Sequence, residues 1–447
     1  MRFSAVAALL LLVMGMAATE NMRSGYPPAA FLCTVAPSYK PLTWAEGGER
    51  FEAGAAIFIQ DANGHRALLP GFAASADPQV SFDGKAVLLA GKRTAQEKWQ
   101  IWEVPLAGGD AMRMTNCPQG CVRPFYLPEQ RIVYAEKIGA RFVIRSTMPE
   151  GKVLDLTYGP ASSFPSDVLQ DGRVLFETVV LSQGKEVSEL YTVYSDGSGV
   201  ESYRCDHGAS RHSGKQVASG DVVFADGQGL SRFTSAKAKE IQVSAPRGEY
   251  DGDIAETSPV EWLLSWRGKS GAPFALMEWK PGDKMLHRLL QEPDTNVLQP
   301  VVLRERAVPN RHPSALHDWN YANLLCLNAY TSKYSFGAGS INSVKFYTRD
   351  AAGRTQMLGT SPVEADGSFF VQVPGDQPLQ IELLDAAGKT LKHEAGWFWL
   401  RRGEQRVCVG CHAGPETAPE NAVPMVLLKS TTPVDMTHAG SASMGGH

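Results

Sequence analysis

The sequence predicts an all-β protein, because short apolar runs separated by turn residues recur through most of its 447 residues. In each unit a turn leads through a polar or basic residue into an apolar run, as in Phe82-Asp83-Gly84-Lys85 before Ala86–Leu89. Further copies lie at residues 128–134, 170–176, 219–224 and 259–264. Their spacing of about 40 to 48 residues is the period of β-propeller blades. We therefore expect a propeller over residues 51–303.

The second half of each unit is a strand that runs into a Gly turn, as Ile101–Val104 before Gly108-Gly109. One such half, Ala56–Ile59, has no first half before it, and the run Leu298–Leu303 could supply one. We predict that strands from both ends of the repeats close the ring, which removes exposed sheet edges. This gives a six-bladed β-propeller, with seven blades as the alternative.

A smaller β domain is predicted over residues 304–402, after the repeat pattern breaks near Arg304–Pro313. Its alternating strands lie at Asn323–Tyr330, Ser343–Tyr347, Ser368–Val373 and Pro378–Leu384. Several short antiparallel strands within about 80 residues are typical of a small β-sandwich. The small polar residues of the tail, 429–447, predict flexibility.

The N-terminus and the composition limit location and partners. Met1-Arg2, the apolar run Ala5–Met16 and small residues around position 17 predict a signal peptide over 1–17, with a segment 18–50 before the propeller. The alternative is an uncleaved anchor helix, but the run is short for a membrane span. We expect a periplasmic protein without a membrane span after cleavage. A net charge of −4 excludes a nucleic-acid binder, which needs a basic stripe.

The motif Cys408-Val409-Gly410-Cys411-His412 is the strongest chemical signal. Two thiols three positions apart can form thioethers on one porphyrin edge, and the imidazole that follows then points at the iron. The alternative is a chance cluster or half of a zinc site. We predict that the β-sandwich ends in a c-type haem attachment segment, 403–428, which carries one covalent haem c with His412 as the proximal ligand.

The distal iron ligand is left open by the sequence. His393 is the first candidate, because it could fold back from the strand Trp397–Leu400. Other candidates are Met425, Met436, His438, Met444, His447, His312 and His317. Trp397 and Trp399 could stack on the porphyrin or could belong to the core of the sandwich. The ligand matters because His/Met ligation raises the reduction potential relative to His/His.

The remaining cysteines suggest other chemistry. Cys117 and Cys121 flank a Pro-Gln-Gly turn and could form a disulfide or stay as thiols, while Val122 stands where a second haem motif needs His. Cys326 lies among leucines and is interpreted as a small buried hydrophobe. A metal site, with a polar loop as the alternative, is suggested by the candidate zinc ligands Cys205, His207 and His212.

The C-terminal third resembles the hydrazine synthase alpha subunit family. The matching strings are Leu324–Leu327, Glu364–Phe369, Trp397–Glu404 leading to the haem motif, and Pro419–Asn421. The resemblance covers about residues 300–428 and implies that family's haem-bearing middle domain, while the repeats before it resemble the PD40 repeats of TolB-like propellers. In the enzyme of that family the catalytic haem takes a tyrosine just after the motif. Here Ala413–Glu416 follow, and no tyrosine comes later in this sequence.

We favour electron transfer with a redox partner protein, because no acid or base group accompanies the haem motif as a catalytic constellation. The resemblance implies one alternative, a haem enzyme acting on a small nitrogen compound. A binding or assembly module with a structural haem is the other. The sequence leaves open whether a small-molecule substrate is turned over.

Overall fold

The computed structural model describes residues 30–40, 48–52, 54–148, 151–182, 185–204, 210–227, 229–234, 239–350, 352–411, 418 and 420–437. The predicted signal peptide lies outside these ranges. Within them the chain is almost entirely β-strand, which confirms the predicted all-β class. No helix of the described residues is long and apolar enough to cross a membrane.

The first 24 strands form six four-stranded antiparallel sheets. In chain order the strands are β1 (Phe31–Ala36), β2 (Ala56–Asp61), β3 (Gly64–Ala67), β4 (Ala74–Val80), β5 (Ala86–Lys92), β6 (Gln100–Pro105), β7 (Met112–Arg113), β8 (Cys121–Leu127), β9 (Arg131–Ile138), β10 (Arg141–Thr147), β11 (Val153–Asp155), β12 (Ser163–Val168), β13 (Val174–Ser182), β14 (Lys185–Val193), β15 (Glu201–Ser202), β16 (His212–Gln216), β17 (Val222–Ala225), β18 (Leu230–Phe233), β19 (Glu240–Gln242), β20 (Glu249–Ser258), β21 (Glu261–Arg267), β22 (Ala275–Trp279), β23 (His287–Leu290) and β24 (Asn296–Val302). Five sheets are built from consecutive strands, and each begins with its innermost strand.

The sixth sheet, which we call the closure sheet, has the order β24-β1-β2-β3 and joins both ends of the repeat region. The innermost strands β4, β8, β12, β16, β20 and β24 each contact the next, and β24 returns to β4. Strands from both ends therefore share one sheet, as predicted. The sequence interpretation paired residues near 300 with β2 directly, whereas β1 lies between them and belongs to the segment 18–50 that we had separated from the propeller.

The innermost strands share a local irregularity at the same level. The pairing register shifts within each of the six, which marks a β-bulge. At four of these bulges the residue has positive φ, with Asp77 at 57°, Arg123 at 54°, Ser213 at 53° and Gln299 at 54°. The bulges bring these polar residues together on the axis of the ring, where they are buried.

The segment 303–320 contains no helix or strand and crosses the open end of the axial channel. The Arg306 backbone N–H donates to the Phe82 carbonyl at 2.9 Å, and the Asn310 N–H donates to the Gln170 carbonyl at 2.9 Å. The Arg306 guanidinium lies 4.3 Å from the centre of the Phe82 ring. The connection is thus fixed to two different sheets before the second domain begins.

Two further four-stranded sheets follow, in the orders β31-β25-β28-β32 and β27-β26-β29-β30. Their elements are β25 (Tyr321–Cys326), β26 (Ser343–Arg349), β27 (Thr355–Pro362), β28 (Phe369–Pro374), β29 (Leu379–Leu384), β30 (Thr390–His393), β31 (Gln405–Cys408), α1 (Met425–Lys429) and β32 (Val434–Asp435). Apolar residues from both sheets, such as Leu324 and Phe346, form one core. Alternate side chains of β25 and β26 point into this core, which is the burial pattern that period-two sequences predict.

The tail differs from the expectation of flexibility over 429–447. Strand β32 pairs in parallel with β28, and the Met436 side chain, 1% exposed, packs against Gly359 in the shared core. A buried methionine and two paired residues tie this part of the tail to the domain. Residues 438–447 lie outside the described ranges.

Candidate functional site

The haem-motif cysteines are positioned by the edge strand β31. This strand pairs in parallel with β25, so that Cys408 lies opposite Cys326. The pairing continues past the strand end, because the Leu327 N–H donates to the Cys408 carbonyl at 2.9 Å. Cys408 is therefore fixed by backbone hydrogen bonds immediately before the turn that leads to Cys411.

That turn requires glycine at position 410. A Cβ atom at Gly410 would lie 2.7 Å from the Asn328 carbonyl oxygen and closer still to that of Thr331. Both obstacles are backbone atoms of the segment after β25, and the Thr331 N–H is itself bonded to the Asn328 carbonyl at 3.0 Å. The close approach brings Cys411 back towards Cys408 on the same side of the domain.

Cys408 and Cys411 both line a pocket of about 200 Å³ between the two domains. Its walls come from both C-terminal sheets and from β14 and β15 of the propeller region. The apolar lining residues are Tyr191, Val200, Leu324, Phe369, Ile381, Leu383, Trp397 and Phe398. A mostly apolar cleft with a few polar groups at its edge is the usual form of a cofactor site. The pocket is smaller than one that encloses a whole ligand, about 300–1,000 Å³, so a large planar group would extend beyond it.

Burial disfavours the thiolate form of both cysteines. Burial raises the pKa of Cys408, and it raises the pKa of Cys411 to about 12, with Cys408 and Glu394 adding to the latter shift. Neither cysteine forms a disulfide with another described cysteine. Two available thiols on one side of an apolar cleft are the donor set that a covalent porphyrin needs, so the residues fit the group that the sequence implies.

Strand β31 is also tied to the propeller region. The Arg406 guanidinium donates to the Glu404 carboxylate at 2.6 and 2.8 Å and to the Val200 carbonyl at 2.9 Å. The Glu404 carboxylate in turn accepts from the Gly199 N–H at 3.1 Å. These bonds hold the cysteine-bearing strand against the sheet that contains β15.

Trp397 and Trp399 have different environments. Trp397 lines the pocket, and the Arg349 guanidinium lies 5.0 Å from its ring centre. Trp399, 3% exposed, packs against the rings of Tyr158 and Phe176 in a core of the propeller region. The expectation that Trp399 stacks on the porphyrin or fills the sandwich core is therefore wrong, because its side chain joins the two domains.

His393, the first candidate for the distal ligand, is exposed beside Tyr347, while its neighbours Lys392 and Glu394 line the pocket. Strand alternation places His393 on the opposite face, so the structure does not bring it to Cys408 and Cys411. His312 stacks on Tyr194, and His317 stacks on Trp319. Met436 is in the core and Met425 begins α1. The distal candidates His438, Met444 and His447 lie outside the described residues, as does His412, the predicted proximal ligand.

Of the candidate zinc ligands, only His212 is described, since Cys205 and His207 lie outside the described ranges. Its imidazole is on the innermost strand β16, where burial lowers the pKa and the Nδ1 atom lies 3.3 Å from the Ser213 hydroxyl. Among the described residues no group of three or more His, Cys, Asp or Glu side chains could hold a metal ion.

Cys117 and Cys121 are both buried and are free thiols in the structure. The Cys121 sulfur lies 3.0 Å from the Thr115 hydroxyl. Hydrogen bonding between the two thiols, together with burial, raises the pKa of Cys117. The pair is thus brought together as the turn predicted, without a bond between the sulfur atoms.

Sequence reasoning missed a buried charged network on the axis of the ring. The Arg50 guanidinium donates two 2.7 Å bonds to the Asp77 carboxylate, which also accepts from the Arg123 N–H and the Gln299 side-chain amide. The Arg123 guanidinium pairs with Asp253 at 2.9 Å. A signal was present, because polar residues followed by proline recur at positions 77, 123 and 299, in the innermost strands of three sheets.

The axial channel beside this network has a volume of about 740 Å³ and is lined by all six innermost strands. Some of its charged side chains form ion pairs within the protein, as Arg123 does with Asp253 at 2.9 Å and Lys215 with Asp167 at 3.1 Å. The smaller cleft differs from the channel because it has a mostly apolar wall and carries the two cysteines of the motif.

The segment that forms this cleft matches a known protein class. Residues 328–413 match the family model of the hydrazine synthase alpha subunit middle domain. Over 93 residues the chain is 27% identical to hydrazine synthase subunit alpha of Kuenenia stuttgartiensis, a stretch that covers 20% of this chain and 12% of that protein. The resemblance stated from the sequence is confirmed for this segment.

The likeness of fold extends further. The solved structure of Kuenenia stuttgartiensis hydrazine synthase superposes with a TM-score of 0.76 over 90% of this chain and 72% of that chain, at 17% identity. TolB from Acinetobacter baumannii matches 61% of this chain with a TM-score of 0.45 and 13% identity. The chain thus has an all-β fold similar to that of the hydrazine synthase chain over nearly its whole length.

Proposed function

We propose that this protein is an exported mono-haem c-type cytochrome, similar to the hydrazine synthase alpha subunit, that transfers electrons to or from a partner protein. One observation carries the proposal. The thiols of Cys408 and Cys411, which form no disulfide with another described cysteine, share an apolar cleft and lie in the segment that matches the hydrazine synthase middle domain. We propose further that the six sheets are the blades of a six-bladed propeller and that the two C-terminal sheets form a β-sandwich.

Cys408 and Cys411 would hold the porphyrin through thioether bonds, and His412, by its place in the motif, would ligate the iron. A bound haem c would supply one-electron oxidation and reduction at its iron. The apolar wall, including Leu324 and Phe369, excludes water from the covered side. The backbone bonds of β31 fix the position of Cys408, which limits the rearrangement of this attachment point when the iron changes charge.

The proposal is tested on protein produced with a haem-attachment system and purified from the periplasm. We expect a mass equal to the mature chain plus one haem, and a visible spectrum that survives acid–acetone extraction. The variants Cys408→Ser and Cys411→Ser should each lose one thioether bond. Cys33→Ser, which removes a buried thiol of the closure sheet, is the matched control and should keep the haem. A colourless protein with the mass of the bare chain refutes the proposal.

A second function is favoured by the family match alone. The proteins matched are hydrazine synthases, so a haem enzyme acting on a small nitrogen compound is the alternative. Carbon monoxide distinguishes the two on the same sample. A low-spin spectrum that carbon monoxide leaves unchanged supports electron transfer, whereas a high-spin spectrum that shifts supports the enzyme. A haem that stays in one redox state across the accessible range supports a structural role in binding or assembly.

A further inference from the structure

A third thiol belongs to the cleft. Cys326, 2% exposed, lines the same pocket as Cys408 and Cys411 and packs in the same core. It is the direct parallel-strand partner of Cys408. Cys408 and Cys411 both pack against the apolar cluster that contains Cys326, and all three cysteines line one pocket. Burial is the main reason that the pKa of Cys326 is raised. Cys326 is buried, as predicted, but it also lies beside the two cysteines of the haem motif.

We propose that Cys326 is a modification site, where a reversible disulfide forms with Cys411 while the attachment motif carries no haem. The parallel register holds the backbones of Cys326 and Cys408 at neighbouring-strand distance, and the Gly410 turn returns Cys411 towards that pair. Cys411 lies three residues after the strand partner of Cys326 and lines the same pocket, so both thiols are on one side of the domain. An exported chain also meets an oxidising environment.

The reaction is a thiol–disulfide exchange with a protein or small-molecule disulfide as oxidant. The Cys326 and Cys411 thiols lose two protons and two electrons as their S–S bond forms, and the oxidant is reduced to two thiols. The reverse exchange with an external dithiol restores both groups. Cys408 keeps its thiol, so reduction returns the complete attachment motif.

The disulfide would control cofactor attachment, and this consequence rests on the proposed function. A thioether forms when a cysteine S–H adds across a porphyrin vinyl group, a step without net oxidation. A cysteine in a disulfide has no S–H to add. Cys326 would therefore protect Cys411 from irreversible oxidation before attachment and would make attachment at that cysteine dependent on a reductant.

The bond is tested on wild-type protein exported without a haem-attachment system. The sample is oxidised with glutathione disulfide, alkylated and digested with trypsin under non-reducing conditions. Cleavage gives one peptide with Cys326, residues 312–333, and one with Cys408 and Cys411, residues 407–429. We expect these peptides to be joined, with fragmentation placing the bond at Cys411 and an alkyl group on Cys408. A bond within the second peptide, with Cys326 alkylated, overturns the proposal, as does alkylation of all three cysteines.

The consequence is tested separately by haem loading. Under oxidising growth, Cys326→Ala should raise the haem-loaded fraction to the level that wild type reaches with added dithiol, and Cys33→Ala should leave it at the wild-type level. Equal loading of wild type and Cys326→Ala overturns the control of attachment. If no variant takes up haem even with dithiol, the proposed function fails while the peptide result still decides whether the disulfide exists.

Discussion

Removing the negative charge of Asp77 should weaken the whole ring, since this carboxylate joins three sheets on the axis. It is 4% exposed and binds the side chains of Arg50 and Gln299 and the backbone N–H of Arg123. In Asp77→Asn the shape is kept, but the buried Arg50 guanidinium, 9% exposed as a residue, has no carboxylate at that position. Breaking a buried ion pair from one side costs about 3–5 kcal/mol.

The assay is urea unfolding at pH 7, followed by tryptophan fluorescence. With a slope of about 3 kcal/mol per M, a loss of this size lowers the midpoint by roughly 1–1.7 M. Asp61→Asn is the matched control, because Asp61 also accepts two bonds from one arginine, Arg66 at 2.7 and 2.8 Å, but the pair is exposed. We expect almost no change there. If Asp77→Asn and Asp61→Asn have the same midpoint, the axial network does not stabilise the ring.

The stability that this network contributes should fall at low pH, as is expected for a carboxyl group whose pKa is lowered by folding. Burial opposes ionisation of Asp77, but the guanidinium groups of Arg50 and Arg123 outweigh it and hold the pKa of Asp77 below its ordinary value. The stabilisation is therefore present above the pKa that Asp has in the unfolded chain, and it is lost as the pH falls through the folded value. Asp77→Asn should lose this part of the acid sensitivity.

Three further predictions concern the turn, the network and the domain contact. Gly410→Ala should lower haem loading, measured as haem absorbance per protein, because the added Cβ atom would collide with backbone oxygen atoms. Gly337→Ala is the control, since its Cβ atom has open space, and this variant should load haem normally. Burial raises the pKa of Glu177 to about 7 in the folded protein, above its ordinary value of about 4.5. The folded protein therefore loses stability relative to the unfolded chain as the pH rises from about 4.5 to 7. The urea midpoint of Glu177→Gln should rise relative to that of wild type as the pH is raised from 5 to 8. A midpoint difference that stays the same at every pH would contradict this prediction. Trp399→Ala should lower the free energy of unfolding by about 3–5 kcal/mol and speed proteolytic cleavage within residues 303–320. Trp319→Ala, which changes a more exposed tryptophan, is the control and should have neither effect.

The repeats and the haem motif were readable because each is a local pattern. A turn followed by an apolar run specifies a strand wherever it occurs, and Cys-X-X-Cys-His needs only its own spacing. The axial network could not be read in this way. Asp77, Arg123 and Gln299 are separated by whole sheets in sequence, and their contacts depend on bulges that form only when neighbouring strands set the register.

A sequence pattern that predicts a buried side chain does not say which part of the molecule that side chain packs against. The predicted strand Trp397–Leu400 is only an isolated bridge at Phe398 in the structure. Nothing local says that Trp399 packs against the propeller region and Leu400 against the C-terminal core. The same holds for Cys326. Its apolar neighbours predicted burial, while its position opposite Cys408 depends on a parallel pairing with a strand about 80 residues later.

The cleft is thus a product of both domains, and its properties should report on their contact. Cys326 and the apolar side chains of one wall belong to the C-terminal sheets, but Tyr191 and Val200 of the other wall belong to the propeller region. Arg406 joins the two by binding the Val200 carbonyl from within the cysteine-bearing strand. A change that loosens this contact admits water beside the thiols without altering them. Because burial and solvent access tune the reduction potential of a haem, Arg406→Ala should shift the measured potential even with the motif intact.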